Sequence, residues 1–314
     1  MPLLTMNKVG EQDLLKVKLW LYQRLPVSSV ICQWLKVNID RPGGFGTCEH
    51  STCYVDQWPA PKIVIGVDFI RLYDVDQFPK LIVYTDYEEK DCAPIEQCLI
   101  ELADAIGVRQ IGGLEIKATS TSLWPLLDKV FARHFELDKS ITSWPCKGYC
   151  LSEDGMKCLQ QQTILPPPGF DFDILKPTDA EFVDKTWPLR VQGDTLPLIE
   201  RQIRYFPNVC LRQTDSGSLA CFELIEAEVG IMSHLYTVPE FRRRGLATAV
   251  ETKLAQLMIH EGYAPVKAVL KGNVSGEGVT KASTMWKYFN DVVWIRYGNK
   301  KMVKAYSKAD GDNH

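Results

Sequence analysis

The segment "GIMSHLYTVPEFRRRGLATAVETKLAQLMIHEG", residues 230–262, constrains this chain more than any other. Its apolar start reads as a strand. A turn of proline, phenylalanine, three arginines and Gly245 follows, and then Val250, Leu254, Leu257 and Met258 recur on one face of a helix that ends at Gly262. Three adjacent arginines repel one another, so in a chain of net charge −3 they need open water or an anion. The helix supplies a reason for the anion. Its first backbone N–H groups have no intrahelical acceptor, and its dipole makes that end electropositive. Gly245 and Ala247 keep side chains out of the way, so a diphosphate can approach the N–H groups. Neighbouring arginines add charge-assisted bonds of roughly 1.5–3 kcal/mol each.

The elements on either side predict the rest of the fold. "QQQTILPPPGF", Gln160 to Phe170, holds three consecutive prolines and reads as a linker at 161–170, dividing the chain into a unit at 1–160 and one at 171–314. In the second unit "FDFDILKP" reads as a strand, "TDAEFVDKTWP" as a helix capped by Thr178 or Asp179, and "LPLIERQIRYF" as another helix. "NVCLRQT" and "SLACFELIE" form a hairpin about "DSGS", and the basic strand–turn–helix follows. "PVKAVLK" resumes the sheet, "STMWKYF" reads as a short helix, and "VVWIRYG" with "KMVKAYS" closes it. The first unit has a similar order. "EQDLLKVKLWLYQRL" is helical, and "SSVICQWLKVNI", "KIVIGV" and "KLIVYTD" read as extended. "PIEQCLIELADAIG" is a helix with Ile95, Leu99, Leu102 and Ile106 on one face. Strand "GGLEIKA", helix "SLWPLLDKVFARHF" and strand "KGYCLS" complete it. "RPGGFGTC" lacks the Lys-Ser/Thr of a phosphate loop and reads as a flexible loop. The expectation is mixed α/β, with two tandem units.

Composition narrows the class. Hydrophobic content of 46% with 24% charged residues is that of a globular protein, and the near-neutral balance argues against nucleic acid as a partner. No apolar run approaches the roughly 18 residues of a membrane span, and the N-terminus lacks a signal-peptide layout. An intracellular, cytoplasmic chain is expected, with a mitochondrial location left open. The ten cysteines contain no C-x-x-C and the five histidines do not fall beside them at ligand spacing, so reduced thiols and no metal are expected.

"TVPEFRRRGLAT" resembles the pyrophosphate loop of the GNAT superfamily of acyl-CoA N-acyltransferases, with the pattern Q/R-x-x-G-x-G/A filled by Arg242, Gly245 and Ala247. Pro239-Glu240-Phe241 matches the Pro-Glu-aromatic that often precedes it. From Ile199 through "RYFPNVCLRQTDSGSLACFELIEAEVGIMSHLYTVPEFRRRGLA" the chain is similar to the glycine N-acyltransferase-like group, in which a degenerate N-terminal copy of the fold precedes the working domain. "QWPAPKIVI" resembles a Trp-Pro-x-x-x-x-x-Val segment of that group.

The resemblance implies acyl-CoA, acetyl or longer, as co-substrate and a small amine such as glycine or another amino acid as acceptor, joined by direct attack without a covalent enzyme intermediate. The pantetheine arm is expected to pair with the strand at Leu235, Tyr236 and Thr237. The diphosphate is expected against Arg242, Arg243, Arg244, Gly245, Leu246, Ala247 and Thr248. Asn273 matches an asparagine beside the cofactor in the superfamily, and equally suits a turn in "KGNVSGEG". The group's glutamate base aligns with Ile231, and the tyrosine acid aligns with Trp286, which cannot protonate a thiolate. Glu226, Glu228 and His234 are the nearby alternatives to the base. Of these His234 and Glu228 are the candidate catalytic residues, His234 with an ordinary pKa near 6.5 if a bulge turns it towards the acceptor. A packed histidine is the alternative. The activity stays open between a small-molecule N-acyltransferase, a protein or peptide N-acetyltransferase, and a non-catalytic acyl-CoA-binding module.

Overall fold

Alternation along the strands decides what each face of a sheet must bury. The computed structural model describes residues 6–40, 51–68, 79–87, 92–108, 113–132, 134–135, 143–187 and 195–298. Two compact units emerge: residues 1–146 with 290–314, and 147–289. The boundary expected at 161–170 differs from this grouping on both sides, since the second unit begins at Lys147 and the chain returns to the first at Asn290.

In the first unit, β1 (Asn7–Lys8), β2 (Ser51–Val55), β3 (Ile63–Asp68), β4 (Lys80–Thr85), β5 (Gly113–Ser120) and the later part of β12 (Trp286–Gly298) lie in that spatial order. Ile63, Ile65, Val67, Leu81, Val83, Leu114, Ile116, Val293 and Ile295 point to one face. There α3 (Cys92–Ala105) and the turn beginning with α4 (Trp124–Leu127) cover them through Ile95, Leu99, Leu102 and Phe131. The other face of β3 carries Val64, Gly66 and Asp68, with Trp34 of α2 (Ser29–Asp40) lying on Gly66 and donating Nε1 to Asp68 Oδ2 at 2.8 Å. Helix α1 (Glu11–Tyr22) precedes α2, as its periodicity predicts.

Helix α2 corrects the extended reading of "SSVICQWLKVNI". Val30 through Asn38 are all buried, so no polar face breaks the apolar run, and a helix buried all round carries the same pattern as a buried strand. Its twelve residues favour a helix over a typical strand. The loop expected at "RPGGFGTC" and the strand at "KMVKAYS" lie outside the described residues.

The second unit orders the end of β6 (Ser143–Leu151) with β11 (Val266–Leu270), β10 (Met232–Thr237), β9 (Leu219–Ile225), β8 (Asn208–Gln213) and β7 (Phe170–Asp173). Helices α6 (Ala180–Thr186) and α7 (Leu196–Tyr205) bury Val183, Ile199 and Ile203 against Cys210, Phe222 and Leu224. The long α8 (Leu246–His260) buries Val250, Leu254, Ala255 and Met258 on the opposite face, and Gly262 follows its end at φ +76°. Gln256 of α8 donates to the carbonyls of Leu159 and Gln162, which ties the end of α5 (Glu153–Gln161) and the start of the proline-rich segment to that helix.

A second correction falls after β11. The short helix is α9 (Val274–Ala282), and "MWKYF" belongs to the strand side, with Trp286 opening β12. Asn273 starts α9 by accepting from Gly276 N–H at 2.9 Å through Oδ1, the usual work of an N-cap. Gly276 and Gly278 mask the helix in the sequence, because glycine lowers helix propensity by about 1 kcal/mol.

Candidate active site

The basic turn is built from two left-handed residues. Val238–Pro239 turns the chain out of β10, Arg242 is extended, and Arg243 at φ +61° and Gly245 at φ +78° swing it into α8. A positive φ suits glycine and strains arginine, a conformation that non-glycine residues hold mainly where surrounding structure demands it. Gly245 is the N-cap and offers no side chain, so the first N–H groups of α8 at Leu246, Ala247 and Thr248 face outward without a side-chain cap. A Cβ built on Gly245 meets nothing within 4 Å, so space lies open beside those donors. That space, the bare N-cap and three exposed arginines fit a diphosphate.

The arginines do not act alike. Arg242 donates Nε to the Thr237 carbonyl at 3.0 Å and lies 5.8 Å from the Tyr236 ring, bracing the turn against β10. Arg244 lies 5.8 Å from the Phe241 ring, which packs edge-on against Phe170 at 5.6 Å.

Strand β10 carries the second part of the site. Its parallel register with β11 is confined to Met232 opposite Lys267, whereas on its other edge Tyr236 and Thr237 pair with Phe222 and Cys221 of β9. Beyond Met232 no β10 residue is registered with β11, which leaves the edge at Leu235, Tyr236 and Thr237 without a strand partner on that side; this gap between the strands, the cleft, ends at the Met232–Lys267 pair. The register with β9 shifts between Ser233 and Tyr236, so the strand has the bulge on which His234 depended.

His234 sits in that bulge at φ +58°. Its Nδ1 and Ser233 Oγ are 2.7 Å apart, its ring lies 4.5 Å from Trp187, and its Nε2 is out of solvent with no hydrogen-bond partner among the described residues. Burial pulls its pKa down to about 4, correcting the ordinary value expected from the sequence. Glu228, in the turn between β9 and β10, is buried. Ile231 is buried, and Tyr288 is exposed on β12.

The sequence reading missed a group beneath the cleft. Glu251 of α8 receives Lys267 Nζ on Oε1 and Trp286 Nε1 on Oε2, the latter at 2.6 Å. Lys267 Nζ also lies 4.5 Å from the Trp286 ring centroid. Glu223 of β9 lies in the same buried field, with Oε2 unpartnered, and desolvation followed by the Glu251 charge pushes its pKa well above the carboxylate range. A signal existed: "ACFELI", "LATAVE" and "PVKAVL" each set one charged residue among mostly apolar neighbours.

Residues 208–283 match the family described as FR47-like protein, a span from the first residue of β8 to just past α9. A Drosophila protein solved by X-ray crystallography superposes with a TM-score of 0.72 at 12% identity, covering 93% of this chain and 98% of that one. A GCN5-related N-acetyltransferase from Sphaerobacter thermophilus gives 0.51 at 12% identity over 93% of this chain and 95% of that one. The chain has the GNAT fold. Tandem GNAT architecture occurs among these likenesses: a tandem GNAT protein from the clavulanic acid biosynthesis pathway gives a TM-score of 0.50 at 13% identity, covering 93% of this chain and 98% of that one. In sequence, this chain is 25% identical to a glycine N-acyltransferase of Bos taurus over 221 residues, 67% of this chain and 72% of the relative. It is 26% identical to a bovine glycine N-phenylacetyltransferase over 215 residues, 63% and 70% of the two chains. Among the described residues no cluster of three metal-ligating side chains occurs, and no helix is long and apolar enough to cross a membrane.

Proposed function

We propose that this protein is an acyl-CoA-dependent N-acyltransferase that joins an acyl group to a small amine such as glycine or another amino acid. The observation that carries the reading is the open, left-handed Arg243–Gly245 turn at the bare N-terminus of α8, beside a β10 edge that leaves β11 after one pair. The diphosphate of CoA lies on the N–H groups of Leu246, Ala247 and Thr248, with Arg243 and Arg244 as counter-charges. Arg242 holds the turn in place. The pantetheine arm runs along Leu235, Tyr236 and Thr237 as an added strand, which brings the thioester to the closed end of the cleft. Asn273 has its Oδ1 engaged as the α9 cap, so its part towards the cofactor is to position that helix.

A neutral acceptor amine attacks the thioester carbon, the C–N bond forms, and the C–S bond breaks with its electron pair on sulfur. The neutral imidazole of His234 accepts a hydrogen bond from the amine through Nε2, the atom without a partner. Supplying acetyl-, benzoyl- and longer acyl-CoA with a panel of free amino acids and peptides tests the reading. Amide formation on free amino acids supports it, and transfer confined to peptides replaces it with a peptide N-acetyltransferase.

One observation favours a second reading. Ile231 and Trp286 occupy the places where the resembling group carries its glutamate and tyrosine, and Trp286 is committed to Glu251. CoA binding without turnover of any acyl-CoA would make the protein an acyl-CoA-binding module.

A further inference from the structure

The buried group of Glu223, Glu251, Lys267 and Trp286 has no part in the acyl transfer as drawn above. Burying charge is costly unless each group is paired, and here the pairing is uneven. Glu251 has both oxygens satisfied, by Lys267 and by Trp286. Glu223, at 2% exposure, has an oxygen with no hydrogen-bond partner among the described residues. The Lys267 ammonium is paired with Glu251, and Glu223 lies in the field of both. Desolvation and then the Glu251 charge push Glu223 well above the carboxylate range, so it keeps its proton, while burial pulls the Lys267 ammonium down and makes its proton easier to give up.

Position gives this stored proton a use. Lys267 is the β11 residue opposite Met232, the one registered pair between β10 and β11, so it marks the closed end of the cleft. An arm entering from the arginine turn and lying along β10 ends there, with its sulfur beside Lys267. Trp286, which aligns with the tyrosine of the resembling group, is occupied by Glu251.

We propose that Lys267 and Glu223 form the proton supply for the departing CoA sulfur, Lys267 as the donor and Glu223 as the positioning acid that reloads it. This rests on the acyl-CoA reading above. As the C–S bond breaks, sulfur takes the electron pair and a proton from the Lys267 ammonium. The neutral Lys267 amine takes the Glu223 proton. Solvent, which receives the proton released by the attacking amine, returns one to Glu223, and charges and atoms balance. The titratable groups facing this site are Glu223 on β9, Glu251 on α8 and Lys267 on β11, with Cys221 of β9 alongside bonded to Thr237 at 3.2 Å.

The test reads the proton without needing turnover. Glutamate carboxyls labelled with 13C are titrated in the full chain, in the wild type and in Glu223→Gln, with calorimetry of CoA binding in parallel. One carboxyl still protonated at pH 7 in the wild type and missing from Glu223→Gln is expected. Its midpoint shifts when CoA is bound and stays put with desulfo-CoA, which lacks the sulfur. In turnover, Glu223→Gln keeps its CoA affinity, loses at least tenfold in kcat, and loses the wild-type fall of kcat on the alkaline side. A midpoint unmoved by bound CoA, or an unchanged kcat–pH profile in the folded variant, overturns the inference and leaves the acyl-CoA reading intact. Absence of CoA binding in the wild type overturns both.

Discussion

At the scale of the residue, Gly245 and His234 carry the strongest consequences. Gly245 holds φ +78° beside open space, so an added side chain meets no atom and only the backbone objects. Gly245→Ala therefore costs about 1 kcal/mol in stability, from the left-handed conformation alone. Gly245→Asp adds a negative charge at the proposed diphosphate position, and a loss of at least about 2–3 kcal/mol in CoA affinity beyond the alanine variant is expected by calorimetry. Equal affinity in the two variants would place the diphosphate elsewhere. For His234 the low pKa moves the acidic limb. The group is neutral above about pH 4, so kcat/KM falls towards pH 4 and not near 6.5. His234→Asn suits the left-handed backbone while removing the imidazole. A drop of at least about tenfold in that variant is expected. A drop confined to Glu228→Gln would transfer the role to that carboxyl.

At the scale of the element, the helix α2 on the first sheet shows what sequence patterns conceal. A Cβ at Gly66 would stand 2.8 Å from three atoms of the Trp34 ring, which is fully buried and tethered through Nε1 to Asp68. Gly66→Ala is expected to cost roughly 1–3 kcal/mol by lifting α2 from β3, read as a lowered denaturation midpoint. Asp68 at the same contact behaves in the opposite sense. Burial raises its pKa to about 6, above the unfolded value near 3.8. Its stabilising contribution is full below the unfolded pKa and is lost as pH rises through about 6, because the folded carboxyl must then ionise. Asp68→Asn keeps an oxygen for Trp34 and removes the ionisation. The variant gains on the order of 1–3 kcal/mol at pH 7 and nothing near pH 3, so parallel unfolding curves at the two pH values would refute the account. None of this was legible in "SSVICQWLKVNI". Helix α8 was legible because one face stays polar, so its period shows. Helix α2 has no such face, and α9 hides behind two glycines. The basic turn was readable because arginines, glycine and an amphipathic helix occur in one short segment. The Glu223, Glu251 and Lys267 group draws on three elements far apart in sequence, and only the fold brings them together.

At the scale of the whole molecule, two α/β units in one chain raise the question of how many CoA molecules it holds. Each unit has a strand followed by a helix, β10 with α8 and β4 with α3. The sequences between them differ in charge. Before α8 stand Arg242, Arg243 and Arg244, whereas the sequence before α3 reads "YEEKDCAP", with Glu88, Glu89 and Asp91. Acids stabilise a helix N-terminus by about 0.3–1 kcal/mol each, because they take the place that an anion would occupy. The same charges repel a diphosphate, and Pro94 in the first turn of α3 removes one of the N–H donors it would need. One CoA per chain is therefore expected by calorimetric titration, falling to none in Gly245→Asp. Loss of binding in that variant separates the arginine turn from any second site, since the acidic turn is untouched by it. A stoichiometry of two, or one CoA retained in Gly245→Asp, would mean that the α3 end binds a diphosphate despite the acidic sequence before it.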